Sequence, residues 1–581
     1  MPIQSGEITL NDKPISKRMR RRICYVLQQD IFFPSLTLRD TLHFAAHIRL
    51  PEKYSKKQKE EILRGIVADL ELEKCLDTPV GGMGMPGLSG GEKKRANIAC
   101  EILTDPLLIL LDEPTTGLDS SMAYNLVQIM QKYAVQHNKI IVSTIHQPST
   151  KLFYQFDQLL LLCDGQMAYY GQTDKVINYF ESINVPVSPG FNPADFILEK
   201  MRAEDEVKNH IIEAATEMRD YDDWPIKRSM FDNWNEAESP SMLKPLQTKK
   251  SNPIFSFSKS ATKTFEDESD GIHASLMDLD VVDSSETYDG GQKWPTGFLM
   301  QYKHLTIRAF KLSRPQILDV TKLVQNVVIC AIFSLIWFQL PRSEDTLRDR
   351  MGAIFFIAAH WGFTPLFESV AAFPMERGVI AKERLAGWYR LSAYYLAKMT
   401  SELPLILFQP LLFVGVAYWV IGLSGTAAYF ATLGTVFIHT IAGQSIGLFI
   451  GLLHKEMRSV ITICICIQMA IMLLGGLFTR NIPFWLDWMK YLSFLWYAFH
   501  GLLYLEFKDG PPLQCASILN SSAFLACNEG NQTLEVSSDL VLDYLQVRWE
   551  YWQYLLPLIS FIIVFRFLGY AVLRFYEKPG K

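Results

Sequence analysis

The sequence has few cysteines, no surplus of basic residues and no leader-like start. Nine cysteines are spread over 581 residues, and no two form a C-x-x-C pair, so a thioredoxin-like motif or a zinc ribbon is not expected. The formal net charge is −5, which argues against nucleic-acid binding, since proteins that bind nucleic acid usually carry a basic surplus. The first residues show no basic stretch followed by an apolar run, so we expect no cleavable signal peptide.

Long apolar runs are confined to the C-terminal half of the chain. A bilayer core of about 30 Å needs about 20 apolar residues for each spanning helix. Tryptophan and tyrosine residues cluster near several ends of these runs, as they do in interfacial belts. The sequence predicts an all-α, six-span transmembrane domain over residues 319–579, with spans at about 319–340, 351–373, 401–422, 427–453, 459–479 and 553–574.

The short loops between these spans predict the orientation. The loop 374–400 and the loop 454–458 carry the basic residues, so both are expected on the cytoplasmic side. The sequence therefore predicts an integral multi-pass protein of the plasma membrane or an endomembrane. Its N-terminal half is expected in the cytoplasm and its loop 480–552 outside the cell.

The predicted outer loop carries chemistry of its own. Asn520 and Asn531 begin N-x-[ST] sequons and are candidate glycosylation sites. Cys515 and Cys527 lie in the same loop and are disulfide candidates. Pairing within the chain and pairing across a dimer both stay open.

Two segments connect the soluble half to the first span. Residues 203–295 are rich in charge and poor in large apolar residues, which predicts a flexible charged linker. Residues 296–318 mix Leu, Phe and Ile with Lys and Arg, which indicates an amphipathic connecting helix on the cytoplasmic interface.

The soluble half contains a glycine pair placed to bind phosphate. Leu88-Ser89-Gly90-Gly91-Glu92 precedes a helical run. Glycines let backbone N–H groups approach a phosphate, and a helix start adds partial positive charge. A lone Ser-Gly-Gly is common in ordinary turns, so the residues that follow decide the interpretation.

Those residues supply carboxylates at the end of a buried strand. The apolar run 107–111 is typical of a strand buried on both faces. It ends in Asp112 and Glu113; the first can hold Mg²⁺ through water, and the second can polarise an attacking water. A second apolar strand leads to His146, which can contact a γ-phosphate, although a single histidine at a strand end is more often structural.

These motifs together resemble the ATP-binding-cassette family. The resemblance assigns Gln28 to the Q-loop, Ser89, Gly90, Gly91 and Glu92 to the signature motif, Asp112 and Glu113 to Walker B, Asp119 to the D-loop and His146 to the switch histidine. It implies an α/β cassette of the P-loop NTPase type over residues 1–202, with ATP and Mg²⁺ as cofactors, Gln28 and Asp112 on the metal, and Glu113 and His146 in catalysis.

The order of the domains makes the resemblance more specific. A cassette ahead of the membrane domain, the segment Asn192-Pro193-Ala194-Asp195-Phe196 and the segment 383–389 are similar to the White/ABCG half-transporters. In that family two chains dimerise, ATP binds between the cassettes, and their closure drives export from a central cavity.

One family motif is missing from the sequence. No G-x-x-x-x-G-K-[ST] loop is found, and the only Gly-Lys pair is Gly580-Lys581. The cassette is therefore expected to be N-terminally truncated, without Walker A, through a shortened gene model, a splice form or a fragment. A homodimer is then expected not to hydrolyse ATP, whereas a heterodimer with an intact relative could keep one site.

The resemblance also implies a substrate cavity and coupling residues in the membrane half. The cavity positions, which are aromatic, methionine and leucine side chains and one histidine, are Phe355, Phe356, His360, Phe363, Met469, Met472, Leu477 and Phe478. Such side chains suit flat apolar ligands such as sterols, although each could equally pack helices or face lipid. Coupling between cassette and spans is expected at Glu368, Glu383 and Arg384.

Two functions remain open at this level. The first is ATP-driven export of lipids, sterols or other amphipathic small molecules by a homodimer or heterodimer of half-transporters. The second is an ATPase-deficient subunit that binds intact relatives and regulates them. A soluble cassette ATPase is excluded by the predicted spans.

Overall fold

The chain divides into two units in the computed structural model. The structure describes residues 9–10, 13–15, 17–20, 22–82, 84–185, 192–202, 205–220, 294–453, 456–478, 483–508, 510–515, 524 and 535–576. The first unit is formed by residues 1–30, 64–73 and 89–295, and the second by residues 31–63, 74–88 and 296–581.

The centre of the first unit is a parallel sheet of three short strands. These are β3 (Ile23–Val26), β4 (Leu108–Leu111) and β5 (Ile140–Ser143), in the order β3-β4-β5. Ile109 and Leu111 on one face of the middle strand are buried, whereas Leu108 and Leu110 on the other face are half-buried, so the expected burial on both faces is found only in part. Because the strands are parallel, their carboxyl ends meet at one edge, where α/β folds place their ligands.

Helices and two hairpins complete the first unit. Its further elements are β1 (Thr9–Leu10), β2 (Lys13–Pro14), α1 (Lys17–Arg20), α4 (Gly90–Ile102), α5 (Ser120–Gln136), α6 (Thr150–Phe153), β6 (Gln158–Cys163), β7 (Gln166–Gln172), α7 (Val176–Ser182), α8 (Pro193–Lys200) and α9 (Asp205–Asp220). The β6–β7 hairpin turns through Asp164 and Gly165, both at positive φ, as a two-residue hairpin turn requires.

Helix α9 corrects the expected start of the flexible linker. Residues from 203 onward were expected to lack structure, yet Asp205–Asp220 is helical. Ile211 and Ala215 are buried at a four-residue spacing, which is the repeat of one helix face. The charged residues between them obscure this repeat in the composition. Residues 221–293 lie outside the described part.

The second unit is almost entirely helical. Its helices are α2 (Leu38–Arg49), the first half of α3 (Lys56–Asp69), α10 (Phe298–Ile317), α11 (Val320–Ile336), α12 (Leu347–Val370), α13 (Ala372–Leu385), α14 (Leu391–Ser401), α15 (Leu403–Ile421), α16 (Thr426–Leu453), α17 (Met457–Leu473), α18 (Phe494–Phe507), α19 (Ser538–Tyr544) and α20 (Tyr551–Ala571). A small hairpin of β8 (Leu513–Gln514) and β9 (Glu535–Val536) also belongs to it.

Not all six expected spans have the length of a full membrane crossing. Among the described residues, four stretches are long and apolar enough: Glu344–Leu385, Leu391–Ile421, Thr426–Leu453 and Tyr551–Phe575. A fifth is reached if the bent pair of α10 and α11 is counted as one span. The expected span at 459–479 falls on the shorter apolar helix α17, so the number six stays a prediction.

Helices α12 and α16 pack at unusually close range. A Cβ atom added to Gly443 or Gly447 would lie 2.2 Å from the carbonyl oxygen of Gly362 or Leu366, respectively. Gly451 is similar, at 2.4 Å from the carbonyl oxygen of Val370. Small residues at every fourth position let membrane helices approach backbone to backbone.

We expect Gly447→Ala to destabilise the membrane unit. The added methyl group would overpack the α12–α16 contact, and overpacking costs about 1–3 kcal/mol. Gly434→Ala on the same helix is the matched control, because no atom lies within 4 Å of its added Cβ. The measurement is the thermal unfolding midpoint of the detergent-purified chain; equal midpoints for the two variants would contradict the close approach.

Candidate functional site

Asp112 lies at the carboxyl end of β4 and is held from both neighbouring strands. The Tyr25 hydroxyl donates a hydrogen bond to its Oδ2 at 2.7 Å, and the Thr144 hydroxyl donates to its Oδ1 at 3.2 Å. The hydrogen bond to this carboxylate, together with partial burial, raises the pKa of Tyr25. Both donors are neutral, so the negative charge of Asp112 is oriented without being cancelled.

Glu113 brings the expected Q-loop and Walker B residues together. The side-chain amide of Gln28 donates to its Oε2 at 2.7 Å, and the Thr116 hydroxyl donates to the same oxygen at 3.0 Å. The backbone of Glu113 has φ +40°, a left-handed conformation that costs a non-glycine residue about 1–3 kcal/mol. Its N–H donates to the Thr144 hydroxyl at 2.9 Å, which fixes this turn.

The signature residues form the capped start of α4. The Ser89 side chain accepts from the Glu92 N–H at 3.4 Å, and the Glu92 carboxylate accepts from the Ser89 N–H at 2.8 Å. This reciprocal arrangement is a capping box. A Cβ on Gly90 would lie 3.2 Å from Leu118, so the helix start lies directly against the turn that carries the D-loop.

A buried ion pair ties α4 to the Q-loop. The Lys94 side chain is 2 % exposed, pairs with Asp30 at 3.0 Å, and donates to the carbonyl oxygen of Gln28 at 2.7 Å. The Asn97 amide also donates to Asp30, at 2.8 Å. Sequence reasoning missed these residues because Lys94 falls in a basic run that looks solvent-exposed. The three-residue spacing of Lys94 and Asn97, which places them on one helix face, was the available signal.

Asp119 and His146 differ in how firmly the fold holds them. Asp119 is the N-cap of α5, and its carboxylate accepts from the Met122 N–H at 2.7 Å. His146 follows β5 and is exposed, with no side-chain hydrogen bond to another described residue. Its position beyond a strand end matches the expectation, and its role stays a prediction.

The carboxyl-end residues fit a magnesium–nucleotide complex better than a metal held by protein alone. Among the described residues, no group of three or more His, Cys, Asp and Glu side chains could hold a metal ion. Mg²⁺ usually takes one or two protein oxygens and completes its shell with water and phosphate. Asp112 and the side-chain oxygen of Gln28 provide such a donor set.

The second unit contains a buried ion pair at one of the expected coupling residues. Arg308 of α10 forms a two-pronged ion pair with Glu383 of α13, one prong being 2.9 Å long, and the Tyr389 hydroxyl donates to the same carboxylate. Arg308 and Glu383 are only 6 % and 4 % exposed. The Phe44 ring of α2 covers the guanidinium at 3.7 Å. A residue of the soluble half thus contacts a charge pair that belongs to the membrane half.

The other expected coupling residues have separate partners. Glu368 pairs with Lys322 at 2.6 Å, linking α12 to α11. Arg384 donates to the carbonyl oxygen of Leu573 at 3.1 Å, so it caps the end of the last helix.

The expected cavity residues on α12 contact several other helices, and Phe355 also contacts the expected residue Phe478 at 5.5 Å between ring centroids. Phe355 contacts Phe499, and Phe363 contacts Phe494, both on α18. Phe356 and His360 stack on each other at 5.7 Å.

The second pair faces other helices. Phe356 contacts Phe333 of α11 and His360 contacts Phe413 of α15, so these two side chains pack within the helix bundle. Residues on one helix contact different neighbours according to their angle around its axis. The expected cavity, which was placed at a dimer axis, stays a prediction.

The expected cavity residues beyond α12 differ in how exposed they are. Met469 and Phe478 are 59 % and 58 % exposed, whereas Met472 and Leu477 are half-buried against the core of the second unit. Phe478 is exposed even though its ring meets that of Phe355 edge to face.

The expected outer loop is described only in part. Cys515 is disulfide-bonded. The other disulfide candidate Cys527 and the sequon residues Asn520 and Asn531 lie outside the described residues, so their disulfide bonding and glycosylation stay predictions.

We expect Arg308→Ala to be strongly destabilising. It would leave the Glu383 carboxylate buried without a counter-charge, which costs about 3–5 kcal/mol. Arg308→Met combined with Glu383→Leu removes both charges and should restore much of the lost stability. The control is Lys508→Ala, which breaks an exposed pair with Asp539 worth about 1 kcal/mol or less. Thermal unfolding midpoints of the four proteins test this; equal losses for Arg308→Ala and Lys508→Ala would refute it.

Family models match both halves of the chain. The model described as "ABC transporter" matches residues 1–116, which include Gln28, the signature residues and Walker B. The model described as "ABC-2 type transporter" matches residues 300–507, from α10 to α18. The expected loss of the phosphate-binding loop is not tested by these matches and stays a prediction.

Whole-chain relatives have the same order of halves. ABC transporter G family member 22 of Arabidopsis thaliana is 35% identical over 511 residues, 87% of this chain and 65% of that protein. Protein white of Drosophila melanogaster is 30% identical over 583 residues, 98% of this chain and 76% of that protein. The broad substrate specificity ATP-binding cassette transporter ABCG2 of Mus musculus is 30% identical over 595 residues, 99% and 84% respectively. The chain therefore spans about two thirds to five sixths of these relatives' lengths.

Proposed function

The chain belongs to the G family of ATP-binding-cassette transporters, and we propose that it exports amphipathic small molecules, such as lipids or sterols, as an ATP-driven half-transporter in a dimer. The observation that carries this proposal is the Gln28–Glu113 contact beside Asp112 and the capped signature helix. These residues combine a metal ligand, a base and a phosphate-binding helix start.

Each site residue has a defined task in this mechanism. Bound Mg²⁺–ATP supplies the phosphoanhydride bond whose hydrolysis drives transport. Asp112 and Gln28 would hold the metal, and Glu113 would polarise the attacking water. The N–H groups at Gly90 and Gly91 would receive a phosphate at the start of α4. In the proposed dimer this phosphate belongs to a nucleotide held by the partner cassette.

The buried pair in the second unit supports a route from the cassette to the spans. Phe44 lies on the Arg308 guanidinium, and Arg308 donates two hydrogen bonds to Glu383. A buried ion pair is costly to separate. A displacement of α2 would therefore move α10 and α13 with it instead of breaking the Arg308–Glu383 pair. Cytoplasmic placement of the cassette, in a plasma-membrane or endomembrane protein, is part of the proposal.

The substrate class rests on side-chain chemistry. Met469 and Phe478 present large apolar groups at the surface of the membrane unit. Methionine and aromatic side chains adapt to flat apolar ligands. The mouse relative's name credits it with broad substrate specificity, and we infer a similarly permissive amphipathic cargo for this chain.

We expect Glu113→Gln to abolish any ATP-dependent transport by the chain assayed alone. Loss of a general base lowers the rate of the chemical step by about 10²–10⁴-fold. The measurement is ATP-dependent uptake of a labelled sterol into inverted vesicles, together with phosphate release. Lys132→Gln, on the exposed side of α5, is the matched control and should keep full activity.

The same assay separates the exporter from the regulatory subunit. The chain is assayed alone and co-expressed with a relative that carries a G-x-x-x-x-G-K-[ST] loop. Turnover by the chain alone that Glu113→Gln removes would exclude the regulatory hypothesis. Turnover only with the relative, lost on Ser89→Arg, would favour a heterodimer. No sterol uptake in either case would refute the proposed cargo.

A further inference from the structure

The outward face of α10 mixes apolar and basic side chains. Leu299, Ile307 and Phe310 are 78 %, 47 % and 38 % exposed. The exposed basic residues on this face are Lys303, Lys311 and Arg314. A helix with this composition next to a membrane span favours the headgroup region of a bilayer, and its basic residues favour anionic lipids.

An open cleft between α2 and α10 runs along the edge of this face. Its polar lining is Asp40, His43, His47, His304, Arg308 and Lys311, and Ile307 is among its apolar lining residues. Ile307 and Lys311 belong both to the cleft and to the exposed face of α10. A lipid whose acyl chains lie along α10 could therefore place its headgroup in the cleft.

The imidazoles of His43 and His304 offer hydrogen-bond donors to such a headgroup, whereas the single N–H of neutral His47 is donated to the carbonyl oxygen of His43. The His47 and His304 rings lie 4.4 Å apart, and Nδ1 of His47 is bonded to the carbonyl oxygen of His43 at 2.8 Å. The ring nitrogens of His43 and His304 make no hydrogen bond to another described residue. Neutral imidazole N–H groups can donate to phosphate oxygens.

The charges around the cleft favour an anion. Burial, then repulsion by protonated His47 and by Lys303, Lys59 and Lys56, lowers the pKa of His304 to about 4. At neutral pH His47 is uncharged, so the positive potential comes from the three lysines. Lys59 is only 4 % exposed and donates to the carbonyl oxygen of Leu50. The same positive potential that opposes protonation of His304 would stabilise a phosphate.

Two carboxylates near the cleft already have partners. Asp40 pairs with Lys311 at 2.7 Å, and Glu52 accepts the Gly297 N–H at 2.6 Å. Glu52 also favours the charged form of Lys59. Asp40 is therefore opposite Lys311 and Glu52 acts on Lys59, whereas Lys56 and Lys303 form no ion pair with another described residue and add positive charge beside the imidazoles.

We propose that the cleft between α2 and α10 binds the phosphate group of an anionic phospholipid from the cytoplasmic leaflet. The outward face of α10 then lies along the upper part of the acyl chains. The proposal rests on the cytoplasmic placement of the cassette proposed above. A free phosphate compound shares the headgroup chemistry and is the alternative source of the ligand.

The test is a binding titration of the full chain in neutral detergent without ATP. The probes are dioctanoyl phosphatidylglycerol, dioctanoyl phosphatidylcholine and inorganic phosphate, each followed by the change in thermal midpoint. Saturable binding of phosphatidylglycerol, and at least about tenfold weaker binding of phosphatidylcholine, is expected. Lys56→Gln combined with Lys303→Gln should raise the Kd for phosphatidylglycerol about tenfold or more, since each basic residue near a headgroup contributes about 1 kcal/mol.

The matched control is Lys57→Gln combined with Lys132→Gln. Both lysines are exposed and neither contributes to the potential at His304, so their removal should change the Kd less than about twofold. Equal losses in the two double variants, or equal binding of the two lipids, would overturn the proposal.

The remaining arm identifies the source of the phosphate. One outcome is that inorganic phosphate binds as tightly as phosphatidylglycerol and loses this binding in the variant with both Lys56→Gln and Lys303→Gln. That result would show that the lipid assignment is wrong and that a free phosphate compound is the ligand. The titration needs no ATP turnover. Failure of transport with lipid binding intact would therefore refute the proposed function and leave this site standing.

Discussion

The pairing of Arg308 with Glu383 is the contact on which the second unit depends. Removing two charges from water is expensive, so the pair is stable only if its remaining donors and acceptors are satisfied. Tyr389 donates to the carboxylate, and Phe44 covers the guanidinium. Three helices are thereby fixed around one charge pair: α10 through Arg308, α13 through Glu383 and α2 through Phe44.

The carboxylates at the candidate site of the first unit have neutral partners instead. Asp112 and Glu113 receive hydrogen bonds from hydroxyl and amide groups of Tyr25, Gln28 and Thr144, none of which carries charge. Their negative charge is held in position and stays available to a metal or a water. The neutralised Arg308–Glu383 pair makes the second unit rigid, whereas the uncompensated carboxylates of the first unit can take part in chemistry.

Sequence reasoning succeeded where chemistry is local and missed what depends on distant pairing. The signature helix and Walker B were predictable because a capping serine, two glycines and a buried strand ending in carboxylates lie within short segments. The partner of Glu383 was not, because Arg308 is 75 residues away and the sequence does not show which helices adjoin. The neighbours of the expected cavity residues were not predictable for the same reason: Phe355 and Phe356 are adjacent in sequence, yet they contact different helices.

The glycine contacts explain how a local pull at Glu383 could act on a whole membrane bundle. Helix α13 follows α12 after Val370, so force applied at Glu383 enters α12. Gly443 and Gly447 bring α16 so close to α12 that any side chain between them would clash. Interfaces packed this tightly shift as units, because sliding one helix past the other would bring a backbone carbonyl against a Cα or a neighbouring side chain. Helices α12 and α16 are therefore expected to move together, with α13 as the lever that joins them to the charge pair.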